Sequence, residues 1–305
     1  MTLQQLNYVL TISEYGSMNR AAEKLYISQP TLSLAVKDLE EELNIKIFKR
    51  IPRGVILTKE GNDFIIRARQ IYQQTELLKN RYADKKEIKR TFSVSTQHYS
   101  FATKAFVEMV KKYDTSIYDF AIKETRTMEV INDIEKLSSE IGILYLSNFN
   151  RKYIMKLFDE ADIEFHHLTN CDAFVYIYRK HPLAKNRSIT FEELQDYPCL
   201  SFDQGSVDSL YLAEEILGEN EYKRTIKTND RATMLNLMVG LNAYTLCSGI
   251  ICEELNGSDY IAVPFQADED NPNTVMEIGY ITKKYSEISE LGYDYIMELK
   301  NYLAV

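Results

Sequence analysis

Apolar residues at Leu3, Leu6 and Leu10 recur at helical spacing and predict a first helix over residues 3–14, which Gly16 interrupts. Ser17 is placed to cap a second helix, whose Ala21, Ala22 and Leu25 form a small-residue face suited to close crossing. Ser28 is the next cap. Pro30 is tolerated in the first turn of the helix that follows, and Leu32, Val36, Leu39 and Leu43 form its buried stripe. Gln29, Thr31, Ser33, Leu34 and Lys37 lie on or near the opposite side. Two short apolar segments, Ile47–Arg50 and Val55–Leu57, flank a Pro52-Arg53-Gly54 turn and predict a hairpin with Lys49, Arg50 and Arg53 at its tip. Thr58 can then cap a long helix from about Lys59 to Lys86. Along it Phe64, Ala68, Ile71, Thr75, Leu78 and Tyr82 alternate steps of four and three, the spacing of a coiled-coil seam. Lys85 to Arg90 reads as a hinge.

From Thr91 the period changes. Thr91–Ser95, Tyr118–Ile122 and Ile141–Tyr145 read as strands, and Thr96–Lys112 and Met128–Leu137 as helices. Strands alternating with helices imply a parallel sheet. A second α/β unit is expected to begin near Ile163. It takes in Ala173–Ile177, Phe191–Leu194, Cys199–Phe202 and a helix from Ala232 to Val239, and Tyr260–Val263 closes it. Met276–Ile281 and the last helix return to the first unit. The expected organisation is therefore a helix-turn-helix with a wing over 1–59, a dimerisation helix and hinge over 60–90, and an α/β sensor of two lobes over 91–305. Lobe I covers about 91–161 and 266–305, and lobe II about 162–265.

Composition is ordinary for a globular chain of 305 residues, long enough for two or three domains. No apolar run approaches membrane-spanning length and the N-terminus lacks a signal-peptide pattern, so a cytoplasmic location without membrane contact is expected. The net charge of −9 is unevenly divided: residues 1–90 hold 16 Lys and Arg against 11 Asp and Glu, and the acidic surplus lies beyond them. A basic reader on an acidic remainder keeps the remainder off a polyanion. Cys171, Cys199, Cys247 and Cys252 show no metal spacing, sit among apolar residues and read as buried, reduced thiols. His166 and His167 beside Glu164 do not read as a metal site, because neighbours on a strand point to opposite faces. No metal or cofactor is expected.

A capped helix that begins Ser-Gln-Pro-Thr and shows polar, non-acidic residues outward can lie in the major groove of DNA. The candidate DNA contacts are Ser17, Asn19, Gln29, Pro30, Thr31, Ser33 and Lys37, with Arg50 and Arg53 on phosphates. The run Ala21-Ala22-(x2)-Leu25-(x2)-Ser28-Gln29-Pro30-Thr31-Leu32-Ser33 is followed by Leu39-Glu40-(x2)-Leu43, Phe48-(x)-Arg50 and Leu57-Thr58-(x)-Glu60-Gly61. Over residues 1–61 this resembles the LysR-type transcriptional regulators. Leu34 stands where the family often carries a DNA-contacting arginine. Asn44 replaces a usual glycine, and Asn tolerates the left-handed turn needed there.

The rest of the chain is similar to the periplasmic-binding-protein-like sensor of that family, on Tyr178-(x2)-His181-Pro182-Leu183-Ala184 and Leu194-(x2)-Tyr197-Pro198. Gly240-Leu241-Asn242 departs from the family's usual Gly-x-Gly loop. In two such lobes a ligand lies in the cleft at strand C-termini, where helix N-termini aim N–H groups inward. The candidate effector residues are Ser95, Thr96, Gln97 and Thr127 from one lobe, and Ser201, Phe202, Asp203, Asn229 and Thr245 from the other. Their hydroxyl and amide groups suit a small polar or anionic molecule. The expected function is a ligand-responsive transcription regulator that binds double-stranded DNA and dimerises through the long helix. The resemblance implies an antiparallel pairing of that helix and a tetramer. A cytoplasmic solute-binding protein whose N-terminal segment only oligomerises it is the alternative. No Gly-rich phosphate loop, Gly-x-Ser-x-Gly elbow or His-Glu-x-x-His helix points to an enzyme.

Overall fold

The first helix, α1 (Leu3–Tyr15), opens on a capping box: Thr2 accepts from the Gln5 N–H and the Gln5 side chain accepts from the Thr2 N–H. It ends at Gly16 in the left-handed conformation. In the computed structural model, which describes residues 1–52, 54–83, 89–113, 117–205, 210–267 and 271–304, the chain divides into two compact units, 1–88 and 89–305.

In the first unit α1 is followed by α2 (Met18–Lys24), α3 (Gln29–Leu43), the antiparallel strands β1 (Phe48–Ile51) and β2 (Gly54–Leu57), and α4 (Lys59–Ala83). Leu32, Val36 and Leu39 of α3 pack with Val9, Ile12, Ala21, Ala22 and Ile47 in one core. A fully buried Leu or Ile contributes about 1.5–3 kcal/mol there. Leu43, expected in the buried stripe, is only half-buried, because α3 ends there and Asn44 turns the chain at φ 52°. Ser17 occupies the cap position of α2 without a side-chain capping bond. Two glycines are required by close approach. A Cβ at Gly54 would meet the Gly16 carbonyl oxygen at 2.2 Å, and one at Gly61 would meet that of Ile47 at 2.0 Å. The hairpin is thus held against both the α1–α2 turn and the start of α4.

The second unit contains two mixed sheets. The first has the order β4-β3-β5-β13-β6, built from β3 (Arg90–Thr96), β4 (Tyr118–Glu124), β5 (Ile141–Leu146), β6 (Ile163–Asp172) and β13 (Val275–Lys283). Helices α5 (Ser100–Lys111), α6 (Thr127–Glu135) and α7 (Arg151–Glu160) connect its strands, and α11 (Glu290–Leu303) returns to pack on α5. The second sheet has the order β10-β9-β11-β7-β12-β8, from β7 (Phe174–Tyr178), β8 (Ile189–Thr190), β9 (Cys199–Phe202), β10 (Thr225–Thr228), β11 (Tyr244–Cys247) and β12 (Tyr260–Gln266). Its helices are α8 (Phe191–Leu194), α9 (Arg231–Leu241) and α10 (Glu253–Asn256).

Three further expectations need correction. The strand at Ile163 does not open lobe II: β6 pairs antiparallel with β13 in the first sheet, and the crossing to the second sheet falls between β6 and β7. The sheets are mixed and not purely parallel, because β13 runs against both β5 and β6, and β7 against β11 and β12. The helix expected from Thr96 starts only at Ser100, and His98 and Tyr99 before it line a cavity.

Candidate functional site

In the first unit, Ser28 accepts from the Thr31 N–H at 3.2 Å and so starts α3 where Leu32 can be buried. Pro30, Thr31, Leu34 and Lys37 are then exposed, with Gln29 and Ser33 half-exposed on the same end of the helix. The Gln29 amide donates to the Ser33 hydroxyl at 2.6 Å, which pre-orients two of the expected base-reading groups. Lys37 makes a solvent-exposed pair with Glu41 at 3.5 Å. Asn19 and Arg50 are exposed and Ser17 is half-buried; Arg53 lies outside the described residues.

The Leu39-Glu40 motif has a structural role. Glu40 is buried and accepts from the N–H groups of Ile47 at 2.8 Å and Phe48 at 3.1 Å, and from Lys46 Nζ at 2.9 Å. Burial alone would raise its pKa, but these donors outweigh it and hold the carboxyl below the ordinary range. Thr58 caps α4 by accepting from the Gly61 N–H at 2.8 Å.

Along α4, Ile65 and Ala68 belong to the core of the unit or are buried beside it, and Phe64 packs against that core. The seam drawn from Phe64 and Ala68 is therefore partly used within the chain. Farther along, Ile71 and Leu78 are exposed. The Tyr82 side chain lies outside the described residues.

In the second unit, the turn after β3 brings His98, Tyr99 and Ser100 to face lobe II. They border a cavity that Tyr176, Phe202, Glu214, Glu215, Arg231 and Thr245 help to enclose. The His98 ring stacks on Phe202 with centroids 3.7 Å apart and planes within 6°. Arg231 is held by Glu124 of lobe I and by Asn256. The Thr245 hydroxyl is buried without a hydrogen-bond partner among the described residues. Burial, and then the neighbouring Glu214, push the Glu215 carboxyl up to about 8. It therefore holds its proton at neutral pH while accepting from the Phe202 N–H at 2.8 Å.

Of the nine effector residues expected, Phe202 and Thr245 line this cavity and the others are placed elsewhere. Ser95 turns toward α6, donating to Asp133 at 2.5 Å and sharing a hydrogen bond with Ser139. Thr96 donates to the Gln97 carbonyl at 2.7 Å, and Gln97 donates to Thr127 at 2.6 Å. Thr127 is fully buried, donating from its hydroxyl to the Leu212 carbonyl at 2.8 Å and from its N–H to Gln204 at 3.1 Å. Ser201 lines a separate cavity within lobe II, Asp203 pairs with Arg126 at 2.7 Å, and Asn229 is exposed. The physical reason is shared: most of these groups satisfy one another or the neighbouring lobe.

Among the lining residues missed are His98, Glu214, Glu215 and Arg231. Glu214 and Glu215 did carry a signal, since two carboxyls flanked by Leu212, Ala213, Ile216 and Leu217 imply burial. His181 of the His-Pro-Leu-Ala turn is also buried. Its Nδ1 accepts from the Leu183 N–H at 3.1 Å, so its Nε2 donates to the Asn242 carbonyl at 3.0 Å. It thereby anchors Asn242, which stands at φ 49°.

Cys199 and Cys252 are buried, but Cys171 and Cys247 are only half-buried. Burial raises the thiols of Cys171, Cys199 and Cys247 to about 11, 12 and 12, which disfavours thiolate at neutral pH. Among the described residues no helix is long and apolar enough to cross a membrane.

Comparison with known proteins agrees with both units. The bacterial regulatory helix-turn-helix protein family of LysR type matches residues 3–62, and the LysR substrate binding domain matches residues 119–291. The chain is 25% identical over 230 residues to the HTH-type transcriptional activator CmpR of Synechocystis, covering 74% of this chain and 71% of that protein. It is 26% identical over 216 residues to the HTH-type transcriptional regulator AlsR of Bacillus subtilis, covering 70% and 68%. The Corynebacterium glutamicum OxyR C206 mutant shares the fold, with a TM-score of 0.51, 20% identity, and coverage of 99% of this chain and 92% of that one. The helix-turn-helix, the two-lobed sensor and a substrate-domain match spanning more than half the chain lead to one conclusion: the protein belongs to the LysR family of ligand-responsive, DNA-binding transcriptional regulators.

Proposed function

We propose that this regulator reads DNA with the start of α3 and the β1–β2 hairpin, pairs through α4, and takes a small polar or anionic effector between the two lobes. Gln29, Pro30, Thr31, Ser33 and Lys37 face the groove with Ser17 and Asn19 beside them, and Arg50 and Arg53 contact phosphates. Supporting this are the exposed polar end of α3 opposite a buried Leu32, Val36 and Leu39, and the two exposed cations of β1, Lys49 and Arg50. The working assembly is a homodimer, and two dimers form a tetramer. The protein acts in the cytoplasm, where the DNA is.

The observation that carries the effector reading is a cavity walled by both lobes in which the Thr245 hydroxyl is buried without a partner among the described residues. A ligand touching both lobes favours one lobe arrangement, and that differential affinity is what can alter DNA binding. The test is a thermal-shift screen of small metabolites on the whole protein, followed by DNA-binding titrations with each compound that raises the melting temperature. Thr245→Val keeps the shape and removes an unsatisfied hydroxyl. It should leave ligand-free stability equal or higher while reducing the shift produced by those compounds. A full-sized shift in Thr245→Val would move the effector out of this cavity.

A further inference from the structure

The turn after β3 meets Gln204 and the residues 210–215 as though around a bound anion, and that anion belongs to the chain itself. The Glu214 side chain is 4% exposed. Its Oε2 accepts from the His98 backbone N–H at 3.0 Å and lies 2.8 Å from His98 Nδ1, while its Oε1 accepts from Gln204 Nε2 at 2.9 Å. The donors come from both lobes, and stacking on Phe202 fixes the His98 ring.

Glu214 is brought in by backbone tied to lobe I at separate points. The Tyr145 hydroxyl reaches the carbonyls of Ala213 and Glu215, each at 3.1 Å, and Thr127 donates to Leu212. Tyr211 stacks on both Phe149 and Tyr153. The cavity with the unpartnered Thr245 hydroxyl adjoins this carboxylate, and Arg231, the arginine lining it, is engaged by Glu124 and Asn256. The donors that Glu214 engages, the His98 N–H and Gln204 Nε2, are groups able to receive an anion between the lobes.

We propose that Glu214 is an internal ligand: its carboxylate fills an anion subsite between the lobes, and a carboxylate-bearing effector binds by taking its place. This rests on the effector reading above and narrows the effector to a small carboxylate whose body enters the adjoining cavity. A tethered competitor acts at a high effective concentration, so it raises the effector level needed for response. Displacing it also releases Gln204 and the backbone that carries the cross-lobe contacts, which gives the exchange a structural consequence.

Chemical rescue tests the proposal on the whole protein. In Glu214→Ala, sodium acetate at about 0.1 M should raise the melting temperature by about 2–4 °C over a sodium chloride control. It should do so neither in the parent nor in a Glu214→Ala, His98→Ala double variant, and acetamide, the neutral isostere, should not substitute. Equal acetate shifts in the parent and Glu214→Ala would overturn the proposal. Where Glu214→Ala does not fold, Glu214→Gln keeps the length and removes the charge. Calorimetry should then show benzoate binding about ten-fold or more tighter than to the parent, and equal affinities would overturn the proposal. Rescue by acetate without any change in DNA affinity supports the internal ligand and counts against the coupling proposed above. Absence of rescue removes the internal ligand and leaves that coupling standing.

Discussion

Two carboxyls show how one residue type is put to opposite uses. Glu40 is surrounded by donors and kept charged; Glu215 is buried beside another carboxylate and kept neutral. For Glu40, removal would strand the Ile47 and Phe48 N–H groups under the hairpin. Glu40→Ala should cost the first unit about 1–3 kcal/mol and speed amide exchange at Ile47 and Phe48. Unchanged exchange there would mean that the wing does not depend on this tether.

Glu215 has the reverse sign. Its folded-state pKa of about 8 lies above the ordinary value of 4.5, so the folded protein binds a proton that the unfolded chain has released between those limits. The stability it contributes is full below about pH 4.5 and is lost as pH rises to 8. Melting temperatures of Glu215→Gln should therefore fall less between pH 5 and 8 than those of the parent; parallel curves would contradict the assignment.

At the scale of elements, α4 serves two purposes along its length. Its first turns complete the core of its own unit through Ile65 and Ala68, whereas Ile71 and Leu78 expose apolar surface. Burying those two residues against a second copy is the proposed dimer contact. Asp at both positions places unpaired charges in that seam, which costs several kcal/mol. Analytical ultracentrifugation of the Ile71→Asp, Leu78→Asp protein should show the dimer lost through this contact, and an unaltered sedimentation profile would exclude α4 as the seam. Helix α3 divides differently, by face: one side is packed, and the other carries the paired Gln29 and Ser33.

For the molecule as a whole, charge follows function. The basic surplus lies in residues 1–90 and the acidic surplus beyond them, so attraction to phosphates is confined to the reader. Arg50→Ala should weaken binding to all DNA sequences about equally and lower the log–log salt slope by about 1, whereas Gln29→Ala should change base preference by about 1–3 kcal/mol. Competition titrations at several salt concentrations separate the two, and a sequence-selective loss from Arg50→Ala would count against a phosphate role.

Local pattern was enough for the helix-turn-helix, the hairpin and the alternating strands and helices, because each depends on spacing, caps and turn residues a few positions apart. It also exposed Asn44 as a left-handed terminator, since Asn tolerates that conformation. The return of Met276–Ile281 to lobe I was read correctly, but not the strand it pairs with on its far side. Nothing in Ile163–Asp172 distinguishes a strand of the first sheet from one opening the second; the register with Val275–Lys283 decides that. The cleft was decided in the same way. Ser95 and Thr96 are suitable polar residues at the end of a strand, but Asp133, Ser139 and the Gln97 carbonyl engage them. Glu214 reaches the His98 N–H across 116 positions of sequence, a distance that no local pattern spans and that packing closes to 3.0 Å.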